Sequence, residues 1–375
     1  MPNIHLSFSS SYNSDQGSYK LLELPSELCK LVEESLKGTK PLKFDIKGES
    51  TDDAVLCTND RTYALRSVAL SNSIVVATSP PYSSAIDFPE DTLVIRDQVN
   101  EILELTPVVP KLHKLSTLLR GTEYSEDNED EDMESNGEQK LTYSDAKSLI
   151  QASNVELEKG LREKRILQVN GGLRPIASSY LSRIIELVLN TLVSQSIDHK
   201  VASVERLSAI LLDDHEIPRP ISTQVMSWFG TIEDGTWCMD VASVIKECGL
   251  TLLRRHKTDP QSVEQFTTAW KTMVGDTFAS EVSMQLLAGN YLLGSGYDGT
   301  DTLTYFPASS LPTEPAPRFA YLFLTRSRWK SEDITPFLSD IAVNSKERDK
   351  LLLKYARPTT TSDGIWYTSR TQYNG

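Results

Sequence analysis

The sequence predicts an α+β protein, with a small β-rich domain of barrel type at the N-terminus and a series of helical modules behind it. Between Leu42 and Val109, short apolar runs with strand-like alternation are separated by turn residues. Beyond Leu141 the apolar spacing becomes helical, and a turn followed by a β-type run recurs four times.

Residues 1–17 are polar and serine-rich and read as a disordered tail. The β-rich domain spans 18–120. Leu24-Pro25-Ser26 leads into a helix over Glu27–Leu36, whose Leu28, Leu31, Val32 and Leu36 keep helical spacing, and Gly38 closes it. Strands follow at Leu42–Ile46, Ala54–Cys57, Thr62–Leu70, Ser73–Thr78 and Leu93–Val109, with turns at Gly48, Asn59-Asp60 and Ser71-Asn72. Short strands and short turns point to a small antiparallel sheet or barrel. Leu112–Arg120 reads as a short helix.

Residues 121–140 form an acidic linker. Gly121–Gln139 holds nine acids and no base, in a chain whose formal net charge is -14. The rest of the charge is unevenly spread too: from Arg318 onward ten bases face six acids. Bulk acidity therefore does not exclude contact with nucleic acid.

The four recurring segments begin near Asn170-Gly171, Asp234-Gly235, Gly299 and Asp363-Gly364. With Gly171, Gly235, Leu303 and Ile365 as markers, the spacings are 64, 68 and 62 residues. Helices are predicted over Tyr180–Gln195, Val204–Leu212 and Ser222–Phe229 before the second marker. Val241–His256, Val263–Met273 and Glu281–Leu287 precede the third; Arg318–Arg326, Glu332–Ile341 and Lys346–Ala356 precede the fourth. Three helices and a β-hairpin in about sixty residues is the order of a winged-helix module. The chain thus reads as a leading winged-helix-like unit at 141–177 and winged helices at 178–238, 239–312 and 313–375. In the leading unit, Tyr143–Gln151 and Val155–Arg165 are helical, and Ser153 caps the second helix.

Catalytic signatures are missing: the sequence holds no GxxxxGK[ST], GxGxxG, HExxH or GxSxG. The four cysteines form no CxxC, and the five histidines are scattered singly. Asp213, Asp214 and His215 fit a metal or, equally, a helix end entering a proline-containing loop. No run approaches the length of a membrane span, and the N-terminus lacks the pattern of an export signal. No cofactor is expected.

The candidate functional surface is the basic helix of the last module. Lys346, Lys350, Lys354 and Arg357 step by four, four and three, so on a helix they share a face; Arg348 adds a fifth cation, and Arg370 lies just past the hairpin. Such a fan of cations holds phosphates without reading base edges, and its binding falls with salt. A solvated face balanced by Glu347 and Asp349 is the alternative.

Particular stretches carry a family resemblance. Leu56-Cys57-Thr58-Asn59-Asp60-Arg61-Thr62-Tyr63-Ala64-Leu65-Arg66 and Leu70-Ser71-Asn72-Ser73 resemble the N-terminal signature of the sister chromatid cohesion Dcc family, accessory subunits of the Ctf-type alternative replication factor C clamp loader. Phe266-Thr267-Thr268-Ala269-Trp270-Lys271, Tyr305-Phe306-Pro307, Arg318-Phe319, Lys354-Tyr355-Ala356-Arg357 and Ser369-Arg370 extend the similarity to nearly the whole chain. The resemblance implies a non-catalytic adaptor in the nucleus, acting in DNA replication and cohesion. Its N-terminal barrel would be completed by the large and small Ctf-type subunits, with Val55, Leu56, Tyr63, Leu65, Ile74 and Val76 as partner-facing positions. It further implies winged helices that contact single- or double-stranded DNA and DNA polymerase epsilon, an indirect link to PCNA, and no membrane. Lys354, Arg357 and Arg370 match the family's basic positions; Pro358-Thr359-Thr360-Thr361 departs from relatives with more bases there. A stand-alone winged-helix DNA-binding regulator is the rival reading, weakened by the mixed charge of Val155–Arg165.

Overall fold

The computed structural model describes residues 4–8, 19–38, 42–50, 52–79, 92–126, 140–296 and 299–370. The chain divides into two compact bodies, one of Met1–Pro110 with Ser148–Glu156, the other of Lys111–Lys147 with Leu157–Gly375.

The first body is built on one sheet. Its elements are β1 (His5–Phe8), β2 (Leu21–Glu23), α1 (Ser26–Leu36), β3 (Asp45–Lys47), β4 (Val55–Cys57), β5 (Thr62–Thr78) and β6 (Thr92–Pro107). The strand order is β1-β6-β5-β4-β3, with β2 also on β6. β1 and β2 run parallel to β6, and the remaining pairs are antiparallel. The sheet is therefore mixed and open: among the described residues no pairing closes it into the expected barrel. The stretch expected as an unordered tail contributes β1, while residues 1–3 and 9–18 lie outside the described residues.

β5 corrects the strand count. Ser71-Asn72 predicts a turn between two strands, yet β5 runs on, and its ladder passes from Ala69↔Glu101 directly to Ile74↔Val99. Leu70–Ser73 thus stand opposite the single residue Asn100, a wide bulge that takes up the polar residues without reversing the chain. The long partner β6 makes this possible, because it pairs with β5 on both sides of the bulge. β4 covers β5 only at Thr62–Ala64, so among the described residues no strand pairs with the other edge of β5 from Arg66 to Thr78.

Leu28, Leu56, Tyr63 and Leu105 form the small core of this body. Val55, Leu56 and Tyr63, read from the sequence as partner-facing, are interior residues 5%, 2% and 2% exposed. Val55 and Leu56 belong to β4, which lies between β3 and β5, and Tyr63 on β5 stands opposite Leu56. Leu65 and Val76 are half-buried, and Ile74 is exposed.

Ser148–Glu156 is held in the first body by polar clamps. Lys47 Nζ donates to the Ala152 carbonyl at 2.6 Å, and Gln151 Nε2 donates to the Asp53 carbonyl at 2.6 Å. Ser153 N donates to Thr62 Oγ1 at 3.0 Å, while that hydroxyl donates to Glu156 Oε2 at 2.6 Å. Ser153 caps the helix as its sequence predicts: its Oγ accepts from Glu156 N at 3.2 Å, and Glu156 Oε2 accepts from Ser153 N at 3.1 Å. The two together make a capping box.

The second body begins with α2 (His113–Leu118). Two helices then share residues with both bodies, α3 (Tyr143–Leu149) and α4 (Asn154–Glu163), and the hairpin β7 (Ile166–Val169) and β8 (Gly172–Pro175) follows. Part of the predicted acidic linker is ordered here, since Tyr124 is 3% exposed and exchanges backbone hydrogen bonds of 2.8 Å with Pro175 and Ala177. Residues 127–139 of that linker lie outside the described residues.

Three blocks of one plan follow. The first comprises α5 (Ser178–Ser194), β9 (Ala202–Ser203), α6 (Val204–His215), α7 (Arg219–Trp228), β10 (Gly230–Glu233) and β11 (Thr236–Met239). Next come α8 (Val241–Arg255), β12 (Gln261–Ser262), α9 (Val263–Val274), β13 (Tyr291–Ser295) and β14 (Asp301–Tyr305). The last holds α10 (Pro315–Thr325), β15 (Arg328–Lys330), α11 (Ser331–Ile334), α12 (Ser345–Tyr355), β16 (Ala356–Thr361) and β17 (Gly364–Ser369). In each block the short first strand pairs with the final strand of the hairpin, giving the orders β9-β11-β10, β12-β14-β13 and β15-β17-β16. The hairpins β7–β8 and β10–β11 turn on Asn170-Gly171 and Asp234-Gly235, all four at positive φ, the conformation two-residue hairpins need. A buried tryptophan anchors each block: Trp237, Trp270 and Trp329 are at most 1% exposed. Burying a side chain of this size contributes roughly 4–6 kcal/mol by area.

Two predicted helices are shorter than expected. Glu281–Leu287 is not an α-helix but two 3-10 turns, Ala279–Glu281 and Met284–Leu287, broken by extended Val282 and Ser283. Glu332–Ile341 is helical only as far as Ile334 and then tightens to a 3-10 turn over Thr335–Leu338. Pro336 has no N–H to offer the Glu332 carbonyl, so the α-helix cannot continue.

An ion triad ties the α4–β7 connection to α8 of the second block. Glu247, 3% exposed, accepts from Arg165 Nη2 at 3.2 Å and from Arg254 Nη1 at 2.9 Å. The Arg165 guanidinium also lies 4.2 Å from the Phe229 ring centroid.

Candidate functional site

The ten cations from Arg318 onward separate into distinct groups. Arg318 is wholly buried and paired with Asp340. Arg326 faces Asp333 at 3.9 Å, and Lys330 contacts Glu332 at 2.9 Å and Asp363 at 3.5 Å. Arg348 pairs with Asp349 at 2.9 Å and Lys350 with Glu347 at 2.7 Å. Arg328 lies over the Trp366 ring, 4.5 Å from its centroid. Lys346, Lys354, Arg357 and Arg370 remain; all four are exposed and meet no carboxylate among the described residues.

Local sequence explains where these side chains stand. Asn344 Oδ1 accepts from Glu347 N at 3.0 Å and starts α12. Leu352 and Ala356, 3% and 0% exposed, fix the inner face of α12 and the start of β16. The helix ends at Tyr355, before the position that a stripe running through Arg357 requires, and Arg357 belongs to β16 opposite Thr368. The following Pro358 disfavours helical backbone at Arg357, so the three-residue step from Lys354 is not a helical one. Arg370 is brought back by the hairpin, its N–H donating to the Tyr355 carbonyl at 3.1 Å.

Lys354, Arg357 and Arg370 nevertheless converge. Together with Ser369, Phe319, Phe323 and Tyr355 they line one cavity of about 460 Å³. Its floor is aromatic: Tyr355 stacks on Phe319 with centroids 5.1 Å apart, and Phe319 on Phe323 at 6.3 Å. Lys354 Nζ stands 5.2 Å from the Tyr355 ring centroid. Among the described residues no acid lines this cavity. A cationic rim over an apolar floor suits a ligand that is both anionic and flat.

The sequence singled out the three cations and missed the aromatic floor. Phe319 and Phe323, four residues apart on α10, carry the same signal as any buried helix face. Asp213 and Asp214 are exposed at the end of α6, where Glu216 takes a left-handed cap, so the helix-end reading accounts for them. No helix of the described residues is long and apolar enough to cross a membrane.

Comparison with known proteins adds the lineage. The family model for sister chromatid cohesion protein Dcc1 matches residues 19–338. The chain belongs to the Dcc1 family. It is similar to the sister chromatid cohesion protein DCC1 of Xenopus tropicalis, 27% identical over 381 residues covering 97% of this chain and 92% of the relative. The DCC1 of Saccharomyces cerevisiae is 23% identical, covering 94% of this chain and 97% of its own length. The human DCC1 is 24% identical, with 94% and 89% covered. The Dcc1 family model ends before α12, whereas these whole-chain similarities take in most of the sequence. The family is one of cohesion proteins.

Proposed function

We propose that the chain is a non-catalytic adaptor of an alternative clamp loader, acting in the nucleus. In this reading the N-terminal body joins the large and small Ctf-type subunits, and the helical blocks are winged-helix modules that meet DNA and DNA polymerase epsilon. PCNA loading or unloading, and with it cohesion, is then supported without any catalysis by this chain.

Three features support the assignment. The order of helices, short first strand and terminal hairpin in each block suits a winged helix. The open edge of β5, flanked by exposed Ile74 and Val75, suits a partner that adds strands. The observation that carries the DNA reading is the convergence of Lys354, Arg357 and Arg370 on one cavity that no acid lines among the described residues. Reversing all three charges to Glu tests it. Duplex DNA binding should weaken, and the slope of log affinity against log salt should shrink by roughly 2–3, about 0.9 per lost phosphate contact. Unchanged affinity and slope would remove the DNA role from this surface.

A further inference from the structure

We propose that the cavity between α10, α12 and β17 seats an unpaired nucleotide, so that this module prefers DNA carrying a single-stranded extension over uninterrupted duplex. The inference rests on the DNA reading above and goes beyond it by assigning a base-stacking role to the aromatic floor.

A surface that only follows a duplex backbone needs cations and hydrogen-bond donors on a convex face. Here the three unpaired cations surround a recess instead. With a volume of about 460 Å³, it falls in the range of small-molecule sites. A helical duplex cannot enter such a recess, because its bases are stacked and paired. A single extruded or overhanging nucleotide can.

The lining has the two halves that such a ligand needs. Lys354, Arg357 and Arg370 supply three positive charges for backbone phosphates, and the carbonyl of Tyr355 holds Arg370's backbone so that the rim keeps its shape. Phe319, Phe323 and Tyr355 supply apolar ring surface in a stacked series, with Tyr355 half-buried and nearest to the cations. The Lys354 ammonium beside the Tyr355 ring marks that ring as reachable from the cationic rim. A base stacked on Tyr355 extends the series by one ring, and Lys354 swings from the ring to the phosphate. Aromatic stacking tolerates every base, so the preference is for strand state and not for sequence.

The test uses the full chain and three fluorescent DNAs: a blunt duplex, the same duplex with a four-nucleotide overhang, and that duplex with an abasic overhang of the same length. The abasic strand keeps the phosphates and removes only the bases. The overhang should bind roughly five-fold or more tighter than its abasic counterpart, the fold-change equivalent of about 1 kcal/mol per stacked base. Tyr355→Leu should abolish that difference, so that the base-bearing and abasic overhangs bind alike. As an independent readout, 2-aminopurine in the overhang should lose fluorescence on binding to the native chain and keep it with Tyr355→Leu. Equal affinity for the base-bearing and abasic overhangs, with blunt-duplex binding intact, would overturn the stacking proposal alone. Loss of salt-dependent binding to all three DNAs would instead sink the DNA reading on which it rests. If removal of residues 371–375 raises affinity for both overhangs equally, the chain's own end and not a base is the cavity's occupant, and the proposal fails.

Discussion

Arg318, wholly buried, is ion-paired with the part-exposed Asp340 of the last block, its Nη2 donating to Asp340 Oδ2 at 2.9 Å. Arg318 also donates to the carbonyls of Pro312 at 2.6 Å and Phe337 at 2.8 Å, so one guanidinium joins the loop before α10 to the 3-10 turn after α11. A side chain counted among the cations of this region is thus a strut inside it. Arg318→Ala leaves Asp340 and several carbonyls without their donor. Thermal or denaturant unfolding should show a loss of about 3–5 kcal/mol, and hydrogen exchange should accelerate first in α10 and the 3-10 turn. Arg318→Lys should recover little, because an ammonium cannot reach the same spread of acceptors.

The paired and unpaired cations of α12 should behave differently on DNA. Lys350 is already engaged by Glu347, whereas Lys354 faces the cavity. Lys354→Ala should reduce the salt slope by about 1. Lys350→Ala should change it by clearly less, in fluorescence anisotropy titrations across a salt series. Equal effects from the two would mean that ion pairing within the helix does not sort its cations.

The six residues first assigned to partner contact divide by burial. Tyr63→Ala opens the core formed with Leu28, Leu56 and Leu105 and should cost roughly 3–5 kcal/mol of stability. Ile74→Lys with Val75→Lys should leave the melt within about 0.5 kcal/mol, as surface changes do. The double lysine should nonetheless reduce co-purification with the clamp-loader subunits, because charged side chains on an open strand edge oppose strand addition. Capture equal to that of the native chain would argue that partners bind elsewhere.

Two cysteines make a chemical contrast. Burial pushes the Cys248 thiol from 9.0 up to about 12, whereas Cys238 is exposed on β11. Iodoacetamide at pH 8 should therefore label Cys238 and spare Cys248, read by peptide mass spectrometry. Because the folded state holds the Cys248 proton more tightly than the unfolded chain, its contribution to stability is complete below pH 9 and declines as pH rises toward about 12. Cys248→Ala should remove that part of the alkaline decline.

The long helices and tight hairpins were legible because local chemistry decides them. Tyr180, Leu181, Ile184, Ile185 and Val188 keep one helical face, and Asn170-Gly171 admits one kind of hairpin turn. β5 was misread because Ser71 and Asn72 carry turn chemistry, and only the distant β6 turns that signal into a bulge. The strand pattern left an antiparallel sheet and a barrel both open for a related reason: strand closure depends on pairings between remote segments, which alternation does not encode. At the candidate site, helical spacing pointed to Lys354 and the place after the hairpin to Arg370, whereas the strut formed by Arg318 depends on Asp340, 22 residues away along the chain, and has no local signal. The cavity itself arises where α10 meets the α12–β16 junction, and no contiguous motif spans the two.

The hold that Lys47, Thr62 and Asp53 keep on Ser148–Glu156 bears on how the chain is made as well as on how it stands. During synthesis from the N-terminus, the sheet of the first body emerges well before the segment that completes it. Until then Lys47 and Thr62 lack Ala152, Ser153 and Glu156, and the sheet waits with these polar clamps open. Excision at Pro110 would reproduce that waiting state permanently, whereas an excised fragment carried through to Glu156 would bring its own latch.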